Sequence, residues 1–176
     1  LRDALSNWYQ SKGLDVPSYR IQITVGASGG LLLAFAATTD PGNRVLMADP
    51  AYPCNPRFVE AVGGDVHWIK TDATTYFQPT LSQLIEQATD IDRTLILAHP
   101  ANPTGQAVPQ VELEQMSQWC QRTNRHLIVD EIYQNLLFDD ALLSSLAISE
   151  QHFVVGSFSK YFNMTGWRLG WLVIPE

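Results

Sequence analysis

Thr94-Leu95-Ile96-Leu97-Ala98-His99-Pro100-Ala101-Asn102-Pro103-Thr104-Gly105 reads as an apolar strand running into a turn that carries one amide side chain. The run from Thr94 to Ala98 suits a strand buried on both faces, and Asn, Pro and Gly are the residues that dominate turns. Downstream, Val111 to Cys120 has helical period, and Pro109 suits the first turn of that helix. A second apolar run, His126-Leu127-Ile128-Val129, then ends at Asp130. Strand, helix, strand, with both strands apolar, predicts parallel pairing under a helical cover.

The same alternation extends in both directions. Strand-like runs cover Ile21-Val25, Arg44-Ala48, Asp65-Ile69, Phe153-Gly156 and Arg168-Val173. A helical pattern spans Leu81 to Ala88, and Thr80 with Gln83 has capping-box spacing at its start. The expected fold is therefore α/β, a three-layer α/β/α arrangement around a seven-stranded, mostly parallel sheet. The last two runs are joined too closely for a helical crossover, which predicts an antiparallel final strand. No internal repeat, low-complexity stretch or linker interrupts the pattern.

The 176 residues fit one domain, a size that buries about 70% of the unfolded chain's surface. Eleven Lys and Arg against eighteen Asp and Glu give a net charge of −7. A broad nucleic-acid footprint needs clustered positive charge and is disfavoured, whereas a local anion site needs only one or two cations. Cys54 and Cys120 lack metal-ligand spacing and read as reduced packing residues of a cytoplasmic protein. His67, His99, His126 and His152 lie far apart and form no metal motif. The longest apolar run, Leu31 to Ala37, is too short to cross a bilayer, and no signal peptide is visible. The chain begins at Leu1 within an amphipathic pattern (Ala4, Leu5, Trp8, Tyr9) and ends just after a strand-like run, as a piece of a longer polypeptide would.

In open α/β sheets, ligands bind outside the carboxyl ends of the strands, and the informative polar residues fall there. Arg44-Ala48 leads to Tyr52; Thr94-Ala98 leads to Asn102; His126-Val129 ends in Asp130 and Tyr133; Phe153-Gly156 ends in Ser157 and Lys160. These ends supply an aromatic ring, an amide, a carboxylate with a phenol, and an amine, a set suited to a planar, charged aromatic ligand. A fifth end, Thr24-Val25, runs into Gly26-Ala27-Ser28-Gly29-Gly30 and an apolar helix pattern. Small residues at a helix N-terminus leave backbone N–H groups free for phosphate, aided by the helix dipole. The spacing is neither the dinucleotide fingerprint nor the P-loop, so nucleotide binding is disfavoured. Taken singly, Asn102 reads equally as a turn residue, Asp130 as a cap and Tyr133 as core. It is their convergence on one sheet edge that favours a site.

Together these residues resemble the fold-type I pyridoxal-phosphate enzymes, specifically the class I and II aminotransferases. The resemblance extends from Thr24-Val25-Gly26-Ala27-Ser28-Gly29 through Asn102-Pro103-Thr104-Gly105, Asp130-Glu131-Ile132-Tyr133 and Ser157-Phe158-Ser159-Lys160 to Gly166-Trp167-Arg168-Leu169-Gly170-Trp171. It implies pyridoxal 5'-phosphate as cofactor and transfer of an amino group from an L-amino acid to a 2-oxo acid. By the same resemblance, Lys160 bonds to the cofactor aldehyde and then shuttles a proton, and burial beside a second cation favours its neutral form. Asp130 pairs with the pyridine nitrogen, Asn102 and Tyr133 bond the phenolic oxygen, and Tyr52 stacks on the ring. Ala27, Ser28, Ser157 and Arg168 hold the phosphate.

Residues 1–176 would then be the cofactor-binding large domain, lacking an N-terminal segment and a C-terminal small domain whose arginine binds the substrate carboxylate. The resemblance implies a homodimeric parent and small-molecule partners only, with no nucleic acid and no membrane. Asn163 stands where the family commonly has glycine, and asparagine tolerates left-handed backbone. A carbon–sulfur lyase or an aminocyclopropane-carboxylate-synthase-like enzyme shares these cofactor residues. A non-catalytic ligand-sensing domain of the same fold is the reading from outside enzymology.

Overall fold

The computed structural model describes residues 1–136 and 143–176. Helices and strands alternate as α1 (Arg2–Gln10), β1 (Ile21–Val25), α2 (Gly26–Thr38), β2 (Arg44–Asp49), α3 (Asn55–Ala61), β3 (Asp65–Lys70), α4 (Leu81–Gln87), β4 (Asp92–Ala98), α5 (Gln110–Arg122), β5 (His126–Asp130), β6 (Phe153–Ser157) and β7 (Leu169–Val173). The strands form one seven-stranded sheet in the order β1-β7-β6-β5-β4-β2-β3. Neighbours from β3 through β6 pair in parallel. Strand β7 runs antiparallel between β6 and β1, which leaves β1 pointing the same way as the rest. All six co-directional strands therefore end at one edge.

Two hydrophobic clusters, one on each face, account for the three layers. Leu5 and Tyr9 of α1, Leu84 of α4 and Leu113, Met116 and Trp119 of α5 pack with Leu46, Leu95 and Leu127 of the sheet. Leu31, Ala34 and Phe35 of α2 and Val59 of α3 pack with Val45, Met47, Ile96 and Ile128. Alternate residues of β2 and β4 thus serve opposite cores, as the strand period of two requires, and each such buried side chain stabilises the fold by roughly 1.5–3 kcal/mol.

At the edge away from the strand ends, Asp92 is fully buried and joins three elements. Its carboxylate accepts from Arg44 Nε at 3.0 Å and from the Thr89 backbone N–H at 2.7 Å, and lies 3.0 Å from His67 Nδ1. Burial works against its charge, but the hydrogen bonds from Thr89, His67 and Arg44 hold it below the usual carboxylate range. The ion cluster fixes the starts of β2, β3 and β4, so their opposite ends are held in register.

The capping box at α4 is present, with Thr80 accepting from the Gln83 N–H and Gln83 accepting from the Thr80 N–H. Three details depart from expectation. Pro109 is the cap residue before α5 rather than part of its first turn. Strand β7 starts at Leu169, because Arg168 adopts a left-handed conformation with φ of 52° that a strand cannot include. Cys120 is buried as expected, but Cys54 is exposed ahead of α3 and packs no core.

Candidate functional site

The carboxyl ends of β1, β2, β4, β5 and β6 surround a cavity of about 190 Å³. Ala27, Ser28, Tyr52, Asn102, Asp130, Tyr133, Ser157, Lys160 and Arg168 all line it, so every residue singled out from the sequence meets there. Leu31, Ala98, Pro100, Ile132, Ser159 and Thr165 complete the lining. Of these, Ser159 lay within a quoted motif yet carried no pattern of its own, and Thr165 lay outside the quoted motifs.

The seat at β1–α2 is built by close backbone contact. Gly26 has φ of 66°, and a Cβ there would lie 2.7 Å from Arg168 Nη2, so the guanidinium rests over a residue that must be glycine. The Thr24 hydroxyl donates to the Gly26 carbonyl at 2.8 Å. Among the described residues no side chain caps α2, whose first residues include Ala27 and Ser28 on the cavity wall. From the other side, Gly170 presses on the same turn: a Cβ there would meet the Gly26 carbonyl carbon at 2.5 Å. Arg168 donates from Nη1 to the Thr165 carbonyl at 3.2 Å and is otherwise solvent-exposed.

The lysine-bearing turn is held from below and within. Gly156 and Trp171 are register partners, and the Trp171 indole occupies the space a Gly156 side chain would need. Phe158 packs on that indole with ring centroids 5.1 Å apart, and Phe162 lies 6.1 Å from Trp8 of α1. Trp171 Nε1 donates to the Tyr9 hydroxyl at 2.9 Å. Across the turn, the Asn163 N–H donates to the Lys160 carbonyl and Met164 N–H to the Phe158 carbonyl, both at 3.0 Å. Asn163 takes the expected left-handed conformation, with φ of 54°. Ser157 Oγ accepts from the Ser159 N–H at 3.0 Å, and Thr165 Oγ1 donates to the Ser159 carbonyl at 2.7 Å.

Lys160 Nζ stands 5.6 Å from the centroid of the Tyr133 ring. The side chain is exposed at the cavity mouth, so the expected burial of the amine is not met by these residues. The reason is local: Lys160 sits on a turn beyond the end of β6, above the sheet rather than within it.

Asp130 behaves oppositely. The residue is 6% exposed, and among the described residues its carboxyl takes one hydrogen bond, from the Ile132 N–H at 3.2 Å. Burial pushes it up to about 7, against the pull of that N–H, with neighbouring Glu131 adding to the rise. A buried carboxyl so poorly compensated calls for a cationic hydrogen-bond donor in the cavity. Glu131 is satisfied instead by the Ser144 hydroxyl at 2.8 Å and the Ser145 N–H at 2.7 Å, on the far side of the turn. Tyr52 is 38% exposed, and its hydroxyl is raised first by its hydrogen bond with the Cys54 thiol.

These features fit a ligand with a cationic ring nitrogen at one end and a phosphate at the other. The first would meet Asp130, and the second the Gly26 turn under Arg168. Among the described residues, no group of three or more His, Cys, Asp or Glu could hold a metal ion. Nor, among them, is any helix long and apolar enough to cross a membrane.

The sequence profile described as aminotransferase class I and II matches residues 1–176. The chain is 45% identical to a valine–pyruvate aminotransferase of Mycobacterium tuberculosis, over 99% of the chain and 46% of that protein. It is 33% identical to an aspartate aminotransferase of Sulfolobus acidocaldarius, over 100% of the chain and 46% of that protein. Among solved structures, an aminotransferase from Mycobacterium tuberculosis superposes with a TM-score of 0.94 at 43% identity, over 99% of this chain and 46% of that one. The Thermus thermophilus aspartate aminotransferase with maleate gives 0.93 at 31% identity, over the same shares. The chain spans about half the length of the relatives it matches.

Proposed function

The chain belongs to the class I and II aminotransferases, and from that premise we propose that residues 1–176 are the cofactor-binding large domain of an enzyme moving an amino group from an L-amino acid to a 2-oxo acid. The observation that carries the proposal is the convergence of Lys160, Asp130, Asn102, Tyr133 and the Gly26 turn on one cavity. Pyridoxal 5'-phosphate, the cofactor of this family, supplies an aldehyde that captures amines and a protonated ring that accepts the electron pair released at the substrate carbon.

The chain's residues then have distinct tasks. Asp130, forced into a buried position, gains a cationic partner at the ring nitrogen and keeps that nitrogen protonated. Asn102 and Tyr133 offer hydrogen bonds to the phenolic oxygen, and Tyr52 offers a ring face. Backbone N–H groups at the start of α2, the Ser157 hydroxyl and the Arg168 guanidinium grip the phosphate. Lys160 would offer its amine to the cofactor's aldehyde and would hold or move a proton at Nζ. Anchoring both ends of the ring spends binding energy on orientation, which favours reaction at one bond.

The relative named for valine and pyruvate makes that pair the first to assay. A homodimer and a cytoplasmic setting belong to the same proposal. To test it, borohydride is added to the protein with pyridoxal 5'-phosphate and the peptides are mapped. The label is expected on Lys160, sparing Lys12 and Lys70, which stand outside the cavity lining. Equal labelling of all three would refute the assignment.

A further inference from the structure

A second, smaller cavity of about 20 Å³ lies beside the first, between the ends of β2 and β4 and the start of α3. Asn55, Gln78, Ala98, Asn102 and Tyr52 are among its walls, and the last three of these also line the main site. Asn55 is 3% exposed, and its Oδ1 is buried without a hydrogen-bond partner among the described residues. A buried acceptor left unmet is costly, so an unanswered one points to something that answers it. Gln78 is committed elsewhere through its nitrogen, donating to the carbonyls of Ala98 at 3.0 Å and Gln106 at 2.7 Å. That clamp ties β4 to the loop that carries Asn102.

We propose that Asn55 is a positioning residue: its Oδ1 holds one ordered water in this cavity, and that water fixes the Asn102 amide in the orientation that serves the cofactor. The volume admits a single water, and the walls supply several polar groups, the two conditions an ordered buried water needs. Asn55 acts through Asn102 and touches no reacting atom. A free Asn102 amide could turn about its last torsion, which is broad for asparagine; a bridging water removes that freedom before the ligand arrives.

The inference rests on the reading that Asn102 bonds the phenolic oxygen of pyridoxal 5'-phosphate, and the experiment separates the two. In the complete polypeptide carrying this chain, a high-resolution crystal structure is expected to place a water within hydrogen-bond distance of both Asn55 Oδ1 and the Asn102 side chain. Asn55→Leu, which removes the acceptor and fills the space, should raise the pH midpoint of the bound cofactor's absorbance by about half a unit or more. The sign follows because a loosened donor stabilises the phenolate less. Asn55→Ser, small enough to leave room for water, should restore most of the midpoint. A dry cavity in the wild-type crystal, or an Asn55→Leu midpoint equal to wild type, overturns the proposal even if the variant loses stability. Should Asn102→Ala also leave the midpoint unchanged while Lys160 still takes the label, the reading of Asn102 has failed, and the role of Asn55 fails with it.

Discussion

Asp130 is the residue at which function and stability conflict most directly. Its carboxyl is raised to about 7 by burial, above its unfolded value, so the folded state holds the proton through the intervening range. The sign is therefore unfavourable to the ligand-free fold as pH climbs: the proton-linked stability is intact below the unfolded value and lost as pH passes through about 7. Asp130→Asn keeps an acceptor for the Ile132 N–H and removes the charge. Without cofactor, this variant should be more stable than wild type at pH 8 by roughly 2 kcal/mol or more, with a smaller gain at pH 5. Urea unfolding at the two pH values measures the difference; equal gains at both would contradict the account. With cofactor the order should invert, since the variant lacks the anion that, under the proposed function, would pair with the ring nitrogen.

Among the elements, the contact between β7 and the start of α2 does the most to shape the site. Both Gly166 and Gly170 belong to the segment that drew attention in the sequence, but the structure separates them. A Cβ at Gly166 meets nothing within 4 Å, whereas one at Gly170 meets backbone atoms of Gly26 and Ala27 at 2.5 and 2.8 Å. Backbone has no rotamer through which to escape, so Gly170→Ala should displace the α2 turn. Affinity for pyridoxal 5'-phosphate should fall at least about tenfold, or 1.4 kcal/mol, while Gly166→Ala leaves it within twofold or so; fluorescence titration of the two variants decides. Sequence made the central strands legible because β2, β4, β5 and β6 carry apolar runs, and the reversed final strand because its connection is short. The site residues were legible because they fall at strand ends. What sequence could not convey is contact across long separations: Gly170 against Gly26, Trp171 over Gly156, or Asn55 beside Asn102. The exposure of Lys160 was not legible, because the turn that lifts it above the sheet leaves no mark in hydropathy.

Across the whole molecule, two buried histidines work against stability in acid. His99 Nδ1 accepts from the Val108 N–H at 3.0 Å, and His152 lies between the Ser117 hydroxyl at 2.7 Å and the Ser145 carbonyl at 3.1 Å. Each of these pairings suits a neutral ring, and burial lowers both histidines to about 4. Their folded values lie below the unfolded one, so the unfolded chain binds more protons between them, and stability should fall as pH drops from about 6.5 toward 4. Asp130 and Glu131, both raised by burial, act in the opposite sense and blunt that loss. Replacing His152 with Gln should lessen the acid slope by up to about one proton, or 1.4 kcal/mol per pH unit, in urea titrations across this range; an unchanged slope would mean that His152 is not neutral in the fold. The placement of β7 carries a further consequence, for biosynthesis. Among the described residues β1 pairs only with β7, Ile21 opposite Val173, so it waits unpaired in the sheet until the residues up to β7 are made, at about 5–20 residues per second. The Gly26 turn follows β1 directly and is braced by Gly170 of β7, which puts that wall of the cavity among the last parts of the fold to close.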